Sequence, residues 1–539
     1  MNGLLNFLAA IGLLLAVLPL TSRPAYSQAV SPEQQIKQLL DRVLTSEGAQ
    51  VRGETIADPA ALLSFYAERD FKPLWRNPGR YHAMVAQLNN AARHGLTPAH
   101  YHADALRPGM ASQADWTAED EVLATDGLKQ LLRNLRFGRV DPVSLDPRWN
   151  IARPADREYG LEQLRALESV DDLVDTIRTA APQHFFYDGL MTVLARYRDL
   201  SENVASTLVP AGAALKPDMT DPRVTLLRQR LEATDEVGPA DPDAADRYNE
   251  ALVEAVKRFQ VRHGLDADGV VGPETLRALN VSFEDRVQQI RVNLERARWV
   301  LHDLSDEFLV VNIAGFEVFL VRGGSPVWNS RVVVGRTYRK TPVFKAEMSY
   351  LVLNPTWTIP PTILRKDKLP AIAKDVSYLA KNNMQIVDRT GRAVDPATID
   401  WTQTTARGFP YQIVQRPGPD NALGQIKFMF PNDHFVYLHD TPSRELFGKA
   451  SRAFSSGCVR VENPLDLAER LLAGQEDWTR ETIEKAIATG RLRNVTLTKK
   501  MPIIIMYWTV QPSPAVGVRF FRDVYERDAA VLAALNANR

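Results

Sequence analysis

The chain has 539 residues, and at roughly 150 residues per domain this length predicts three or four domains. It carries 65 Lys and Arg against 65 Asp and Glu, a balance that argues against a basic nucleic-acid binder and against an acidic disordered tail. Its single cysteine, Cys458, excludes an internal disulfide and any metal site built on several thiolates.

The N-terminus carries the features of an export signal. An apolar run from Leu4 to Leu20 is shorter than the roughly 20 residues that comfortably span a bilayer. Small residues follow, so the sequence predicts a signal peptide over residues 1–27, with cleavage after Ser27 or Ala29. No Lys or Arg precedes the run, which leaves an uncleaved anchor as the alternative. No cysteine follows it at the position of a lipoprotein anchor, and no later segment is predicted to span a membrane.

Residues 28–220 are predicted to form a helical scaffold domain. Apolar residues recur at helical spacing, as at Ile36, Leu39, Leu40 and Val43, and β-branched runs are few. The aromatic residues of this region are expected in its core. Histidines cluster in the segment HGLTPAHYH, but no carboxylate or thiol joins them at ligand spacing, so we predict no metal site there.

A compact three-helix unit is predicted over residues 221–282. Val224, Leu227 and Leu231 form one helical stripe, and Gly and Asp residues then separate two further helices. The periodicity alone indicates a small helical bundle. The stretch EAVKRFQVRHGLDADGVVGPETLRALN resembles the peptidoglycan-binding type 1 domain, and this resemblance implies a peptidoglycan ligand. A role as a spacer is the alternative.

The pattern changes from helix to strand after a predicted linker helix at 283–305. Short β-branched and aromatic runs bounded by Gly, Pro, Asn or Asp predict a β-rich sandwich or barrel over residues 306–505. Within it, residues 360–424 lose this pattern and are too many for a hairpin loop, so we predict an inserted lid subdomain. Residues 506–539 are treated as a C-terminal extension.

The single thiol stands in a sequence typical of a reactive cysteine. Cys458 follows a predicted tight turn in FSSGCVRVEN, and His439 ends the predicted strand FVYLH. A free thiol with a pKa of about 8.5 can pass its proton to an imidazole, and the resulting thiolate–imidazolium pair attacks acyl carbons. The amides of Gly457 and Cys458 would then face the oxyanion. A buried, inert cysteine is the alternative.

Other nucleophile schemes lack their motifs. The sequence contains no S-x-x-K, no G-x-S-x-G and no H-E-x-x-H. Serine acyl transfer and zinc-dependent hydrolysis are therefore not supported, and cysteine chemistry is the option that survives.

Two motifs resemble a known catalytic signature. H-D-T-P at 439–442 and S-S-G-C-V-R-V-x-N at 455–463 are similar to the signature of YkuD-type L,D-transpeptidases, with Asp440 in place of Gly and Ser456 in place of His. These departures, the segment NPTWTIPP at 354–361, the insert and the domain order resemble the long YcbB-like branch of that family. The resemblance implies a YkuD-like sandwich fold. It also implies that the third catalytic partner is a backbone carbonyl near Ser456.

The activity implied by the resemblance is cross-linking of peptidoglycan in the periplasm. Cys458 would displace D-Ala from a tetrapeptide stem as a thioester, and the side-chain amine of a second stem would resolve it as a 3,3 cross-link. His439 would move the protons at each stage. The partners are stem peptides and glycan, and no metal or organic cofactor is needed. Two alternatives stay open: an L,D-carboxypeptidase that uses water, and a non-catalytic wall-binding scaffold.

Four further residues are predicted to serve the site. Arg460 would pair with a stem carboxylate, with a structural ion pair as the alternative. Tyr437 lies two residues before His439 and therefore on the same strand face, where it would contact the substrate or the imidazole. Trp357 would wall the cleft, unless it is a core residue. Asn463 would stabilise the loop through backbone hydrogen bonds.

Overall fold

The computed structural model describes residues 30–537 except Pro108, Arg148, 152–157, 168–169, Asp235, 237–244, Asp303, 402–407 and Pro514. The signal peptide predicted over residues 1–27 lies outside this part. No helix within the described part is both long enough and apolar enough to cross a membrane. The predicted fold class is confirmed: a helical N-terminal region precedes a small helical unit and a β-rich C-terminal domain.

The N-terminal scaffold is a bundle of helices around one central helix. Its described elements are α1 (Pro32–Thr45), β1 (Gln50–Val51), β2 (Glu54–Thr55), α2 (Pro59–Glu68), α3 (Pro78–Asn90), α4 (Ala118–Phe137), α5 (Pro142–Leu145), α6 (Tyr159–Arg165), α7 (Val170–Ala180) and α8 (Phe185–Asn203). Helix α4 is buried along nearly its whole length. Its buried Glu121 accepts hydrogen bonds from the amides of Leu74 and Trp75, so this charge is solvated by the backbone.

The three-helix unit has a hydrophobic core of its own. It consists of α9 (Pro222–Glu232), α10 (Glu250–Arg262) and α11 (Pro273–Leu279). The stripe residues Val224, Leu227 and Leu231 are fully buried in that core. The side chain of Gln260 accepts from the Gly269 N–H at 2.9 Å, and Gly269 takes a φ of +73°, which glycine adopts without strain. This bond closes the Asp-Gly turn between the last two helices.

Helix α12 (Phe283–Arg298) is a central buried helix, and it ends seven residues before the end of the linker helix predicted over 283–305. It packs against α8 of the scaffold and against the C-terminal segment. The scaffold, α12 and the β-rich domain share one continuous hydrophobic core. Helix α12 is buried because it faces protein on several sides, a property that the composition of one helix does not reveal.

The C-terminal half contains the following elements in chain order: β3 (Glu307–Asn312), β4 (Glu317–Arg322), β5 (Ser325–Gly335), β6 (Phe344–Leu353), β7 (Trp357–Thr358), α13 (Pro361–Ile363), a π-helical turn (Leu364–Lys368), α14 (Leu369–Lys374), α15 (Ser377–Lys381), β8 (Met384–Val387), β9 (Ala393–Val394), β10 (Gln412–Gln415), β11 (Ile426–Met429), β12 (Leu438–His439), β13 (Ala453–Ser455), β14 (Val459–Val461), α16 (Pro464–Leu471), α17 (Arg480–Ala488), β15 (Arg493–Met506), β16 (Val510–Ser513), β17 (Gly517–Phe520) and α18 (Asp528–Asn536).

Nine of the described strands form one sheet that closes on itself. Their order is β13-β5-β14-β12-β11-β6-β15-β3-β4, and β4 also pairs with β5. The first half of β5 pairs with β4, whereas Val332 and Val333 in its second half pair with β14. The long strand β5 therefore joins the two ends of the sheet. Next to β5, strands β14 and β12 lie side by side.

The insert is a small subdomain with its own sheet and its own core. Its strands lie in the order β7-β10-β8-β9. Trp357 pairs with Gln415 across β7 and β10, so the two ends of the insert meet at its base. Apolar residues including Ile372 and Ile413 form a core separate from that of the main sheet. The insert is thus a folded unit rather than an extended loop.

Candidate active site

The candidate residues lie on one face of three adjacent strands. β12 and β14 run parallel, with His439 opposite Arg460. β11 is antiparallel to β12 on its other side, with Lys427 opposite His439. Tyr437 and Cys458 each lie two residues before a member of the first pair, and side chains two apart share a face. The sheet register therefore brings together a thiol, an imidazole, a phenol and two cations.

His439 is buried and fixed by backbone carbonyls. Its Nδ1 hydrogen-bonds to the Asp440 carbonyl, and because a carbonyl only accepts, Nδ1 carries the proton and Nε2 is left as the base. Burial, with the charge of Arg460, lowers the pKa of His439 to about 3. The ring is therefore neutral at pH 7. The predicted third partner near Ser456 is not the one observed, because the carbonyl belongs to Asp440.

Asp440 replaces the glycine of the signature and fixes that carbonyl. Its carboxylate accepts the N–H of Gln425 at 2.8 Å and the N–H of Thr441 at 2.7 Å, and it pairs with Arg444. Gly424 lies against it with a φ of +60°, and a Cβ there would be 2.4 Å from the carboxyl carbon. The carboxylate thus occupies the space beside a glycine that must stay a glycine.

The Cys458 thiol is half-buried, with Sγ 3.9 Å from the Phe435 carbonyl oxygen. Burial raises its pKa, while hydrogen bonding from Tyr437 and the charges of Lys427 and Arg460 act in the opposite direction. With the low pKa of His439, this direction favours a neutral Cys458 thiol and a neutral His439 imidazole. The resting state therefore differs from the predicted thiolate–imidazolium pair, which would have to form during the reaction.

The turn before the sulfur is fixed by Ser455. Its hydroxyl donates to the Cys458 carbonyl at 2.5 Å and accepts the Gly457 N–H at 3.0 Å. Gly457 has a φ of +123°, and its carbonyl accepts the Thr341 hydroxyl at 2.8 Å. The Gly457 amide, predicted to face an oxyanion, is thus already engaged. Within the part of the chain that the structure describes, the Cys458 N–H donates no hydrogen bond and remains available.

Ser456 forms its side-chain hydrogen bond with an arginine, and none with the imidazole is seen among the described residues. Its hydroxyl accepts from Arg339 at 2.8 Å, and Arg339 also forms a two-pronged ion pair with Asp367 of the insert. Ser456 therefore connects the cysteine turn to the insert through an arginine. The structure does not place it beside His439.

Tyr437 and Trp357 join the site to the core of the insert. The Tyr437 ring lies 5.7 Å from the His439 ring and packs on the insert core, to which Trp357 belongs. Burial, followed by the charge of Cys458, raises the pKa of the Tyr437 phenol, so its hydroxyl stays protonated and can donate. Trp357 is 8% exposed and so fits a core residue better than an open cleft wall.

Arg460 and Asn463 have different environments. Arg460 forms no ion pair with any residue that the structure describes, and its buried Nε has no hydrogen-bond partner there. Burial lowers its pKa. Asn463 donates to the Ser330 hydroxyl from its backbone at 3.2 Å and from its side chain at 3.3 Å, so its side chain binds a side chain of β5 rather than the backbone. Arg460 is thus a cation available to an incoming carboxylate.

Sequence reasoning missed three residues of the site, Lys427, Thr341 and Phe435, and gave Ser455 no role beyond the tight turn. Phe435 is 85% exposed with a φ of +54°, beside the thiol that its carbonyl contacts. Lys427 had a signal, since it is the one charge in the apolar strand IKFMF. No set of three or more His, Cys, Asp or Glu side chains in the described ranges is arranged to hold a metal ion.

Three family models match the chain. The model of the L,D-transpeptidase catalytic domain, YkuD, matches residues 306–505, and a model described as "Scaffold domain" matches residues 60–194. A model described as "Putative peptidoglycan binding domain" matches residues 220–279. The chain thus contains both domains named by the sequence resemblance.

The similar proteins carry the same description. A protein of Haemophilus influenzae described as "Putative L,D-transpeptidase" is 37% identical over 222 residues, which are 41% of this chain and 44% of that protein. The match thus spans less than half of the relative. Among solved structures, an L,D-transpeptidase from Xylanimonas cellulosilytica is 16% identical with a TM-score of 0.18, covering 55% of this chain and 99% of that one. One from Stackebrandtia nassauensis is 11% identical with a TM-score of 0.22, covering 56% and 97%.

Proposed function

Since residues 306–505 form a YkuD L,D-transpeptidase catalytic domain, we propose that the chain is a cysteine L,D-transpeptidase that makes 3,3 cross-links between peptidoglycan stem peptides. One observation carries the proposal. A neutral, carbonyl-fixed His439 shares a strand face with the thiol of Cys458. That arrangement suits general-base activation of a nucleophile for acyl transfer.

The first half-reaction is acylation of the thiol. Nε2 of His439 takes the proton of the Cys458 thiol as Sγ attacks the carbonyl of the diaminopimelate residue that bears D-Ala. The amide bond to D-Ala breaks, His439 returns the proton to the leaving amine, and a thioester remains. The Cys458 N–H faces the oxyanion, while Ser455 holds the Gly457 amide.

The second half-reaction transfers the acyl group to an amine. The side-chain amine of a second stem attacks the thioester and gives its proton to His439, which returns it to the departing thiolate. Arg460, which forms no ion pair among the residues described, would bind a stem carboxylate and orient the donor. Protonated Tyr437 would donate a hydrogen bond within the cleft.

The site of action would be the periplasm. The peptidoglycan binding domain at 220–279 supports peptidoglycan as the partner, both stem and glycan. Export would depend on the signal predicted for residues 1–27. An enzyme with peptidoglycan as its substrate must meet that substrate outside the inner membrane.

The decisive experiment uses purified muropeptides that carry tetrapeptide stems. The wild-type chain should yield a dimer lacking one D-Ala, identified by mass, and Cys458→Ala should yield none, because the nucleophile is gone while little packing is lost. A matched control is Ser325→Ala, an exposed serine at the start of β5. A tripeptide monomer as the main product would instead show that the chain is a carboxypeptidase. If a folded wild-type chain gave no product, the chain would be a non-catalytic, wall-binding scaffold.

A further inference from the structure

Lys427 is a half-buried cation with no acidic partner. Among the residues that the structure describes, it forms neither an ion pair nor a hydrogen bond through its ammonium. Burial lowers its pKa. A desolvated charge without compensation is costly, and removing such a charge from a core often stabilises a protein. A half-buried ammonium of this kind is expected to stabilise an anion that forms only during the reaction.

The position of Lys427 identifies that anion. It lies opposite His439 on β11, and its Nζ sits 3.8 Å from the centre of the Tyr437 ring. Tyr437 in turn precedes Leu438 as Cys458 precedes Val459, the residue paired with Leu438. Tyr437 and Cys458 are therefore at the same level of neighbouring strands, and the ammonium lies against the ring of the residue that neighbours the thiol.

We propose that Lys427 is a positioning residue that stabilises the Cys458 thiolate as it forms, acting across the Tyr437 ring and holding that ring in place. This inference rests on the proposed role of Cys458 as nucleophile. The bond chemistry is unchanged: the sulfur proton still leaves for His439. Lys427 lowers the free energy of the negative sulfur and, in parallel, seats the Tyr437 hydroxyl that donates toward it.

Other groups also face the thiol and must be kept constant in any test. Cys458 interacts electrostatically with Arg460 on β14, and Arg460 in turn with Arg336 and Glu445. On the far side of Lys427, β6 presents the apolar Val352. Tyr437 and His439, on β12 and the residues just before it, are further titratable groups beside the thiol. Because a cation opposes imidazolium and favours thiolate, Lys427 lowers the pKa of both His439 and Cys458.

The test is the rate at which the thiol of the full chain reacts with iodoacetamide, a neutral probe that reports thiolate, between pH 7 and pH 10. Lys427→Met should react about tenfold more slowly below the thiol pKa, with its rate profile displaced to higher pH by about one unit. Lys427→Arg keeps the charge and should restore at least half of the rate. Lys485→Met removes an exposed lysine, 72% accessible, and should change nothing.

Two results would overturn the inference. One is a Lys427→Met profile that coincides with wild type. The other is a slower reaction without displacement along pH, since that would indicate a purely structural role. If Lys427→Met does not fold, Lys427→Gln removes the same charge and answers the same question. Because iodoacetamide is not a stem peptide, failure here leaves cross-linking by the wild type as a separate test of the proposed function.

Discussion

Ser455 fixes the backbone on both sides of the candidate nucleophile. Replacing it with Ala removes its bond to the Cys458 carbonyl and leaves the buried Gly457 N–H unpaired. We expect Ser455→Ala to lose roughly 1–3 kcal/mol of unfolding free energy and to lower kcat of cross-linking at least tenfold. Denaturant unfolding and muropeptide kinetics measure the two effects. Ser456→Ala, one residue along but exposed, is the control, and a larger loss there would contradict this role for Ser455.

His439 makes stability depend on pH in a direction set by its burial. Its pKa falls to about 3 in the fold, against about 6.5 in an unfolded chain, so the unfolded chain binds more protons between these values. The stabilisation from the neutral ring is complete above pH 6.5 and is lost as the pH falls toward 3. Thermal unfolding from pH 7 to pH 4 should therefore show a falling Tm.

The contribution of His439 to the fall of Tm with pH can be measured with the variant His439→Asn. Asparagine keeps a side-chain N–H for the Asp440 carbonyl but does not titrate. Its Tm should fall less steeply over the same pH range. Buried His94, whose pKa is also lowered to about 3, contributes in the same direction and stays unchanged in the variant. Equal slopes for the two proteins would show that His439 is not buried neutral.

Helix α12 is the element that couples the scaffold to the catalytic sheet. Its fully buried Glu295 accepts from the Val140 N–H at 2.6 Å and pairs with the fully buried Arg298 at 2.6 Å. Glu295→Gln leaves that guanidinium without its charge partner, so we expect a loss of about 3–5 kcal/mol. Glu284→Gln, on an exposed position of the same helix, should cost about 1 kcal/mol or less. Denaturant titration compares them, and similar losses would disprove the coupling role.

The insert is a folded unit whose ion pair reaches the cysteine turn. Asp367 of the insert pairs with Arg339, and Arg339 also donates a hydrogen bond to Ser456 of the cysteine turn. Arg339 therefore links the insert to that turn. We predict that the insert, about residues 360–424, acts as a lid that excludes water from the thioester and so favours amine as the acceptor. Its separate core makes it removable without opening the core of the main sheet.

Replacing the insert with a short Gly/Ser loop tests the lid. The variant should still be acylated at Cys458 by a small reactive lactam such as a carbapenem, yet give a lower ratio of cross-linked dimer to hydrolysed tripeptide. Asp367→Asn, which weakens the ion pair to Arg339 and keeps the insert, should shift the ratio in the same direction but less. An unchanged ratio in a well-folded variant without the insert would show that it is not a lid.

The hydrophobic cores of the molecule do not coincide with the segments predicted from the sequence. Scaffold, α12 and catalytic sheet share one hydrophobic core, whereas the three-helix unit and the insert have their own. The helical stripe at Ile36, Leu39, Leu40 and Val43 is buried as its spacing predicts. Periodicity shows which side of an element avoids water, but it does not show which other element covers that side. The sequence therefore predicted the helices and strands of these units. It did not predict that the scaffold, α12 and the main sheet share one hydrophobic core.

The proposed catalytic pair could be predicted from the sequence because its chemistry is local: a lone thiol in a tight turn and a histidine ending a strand. The partners of that pair depend on contacts between segments distant along the chain. Parallel pairing of β12 with β14 sets His439 level with Arg460, and antiparallel pairing adds Lys427. The sequence by itself determined the elements and the chemical class of the proposed nucleophile. Only the tertiary structure decided the charge state of the pair, because burial and neighbouring cations, rather than residue type, set both pKa values.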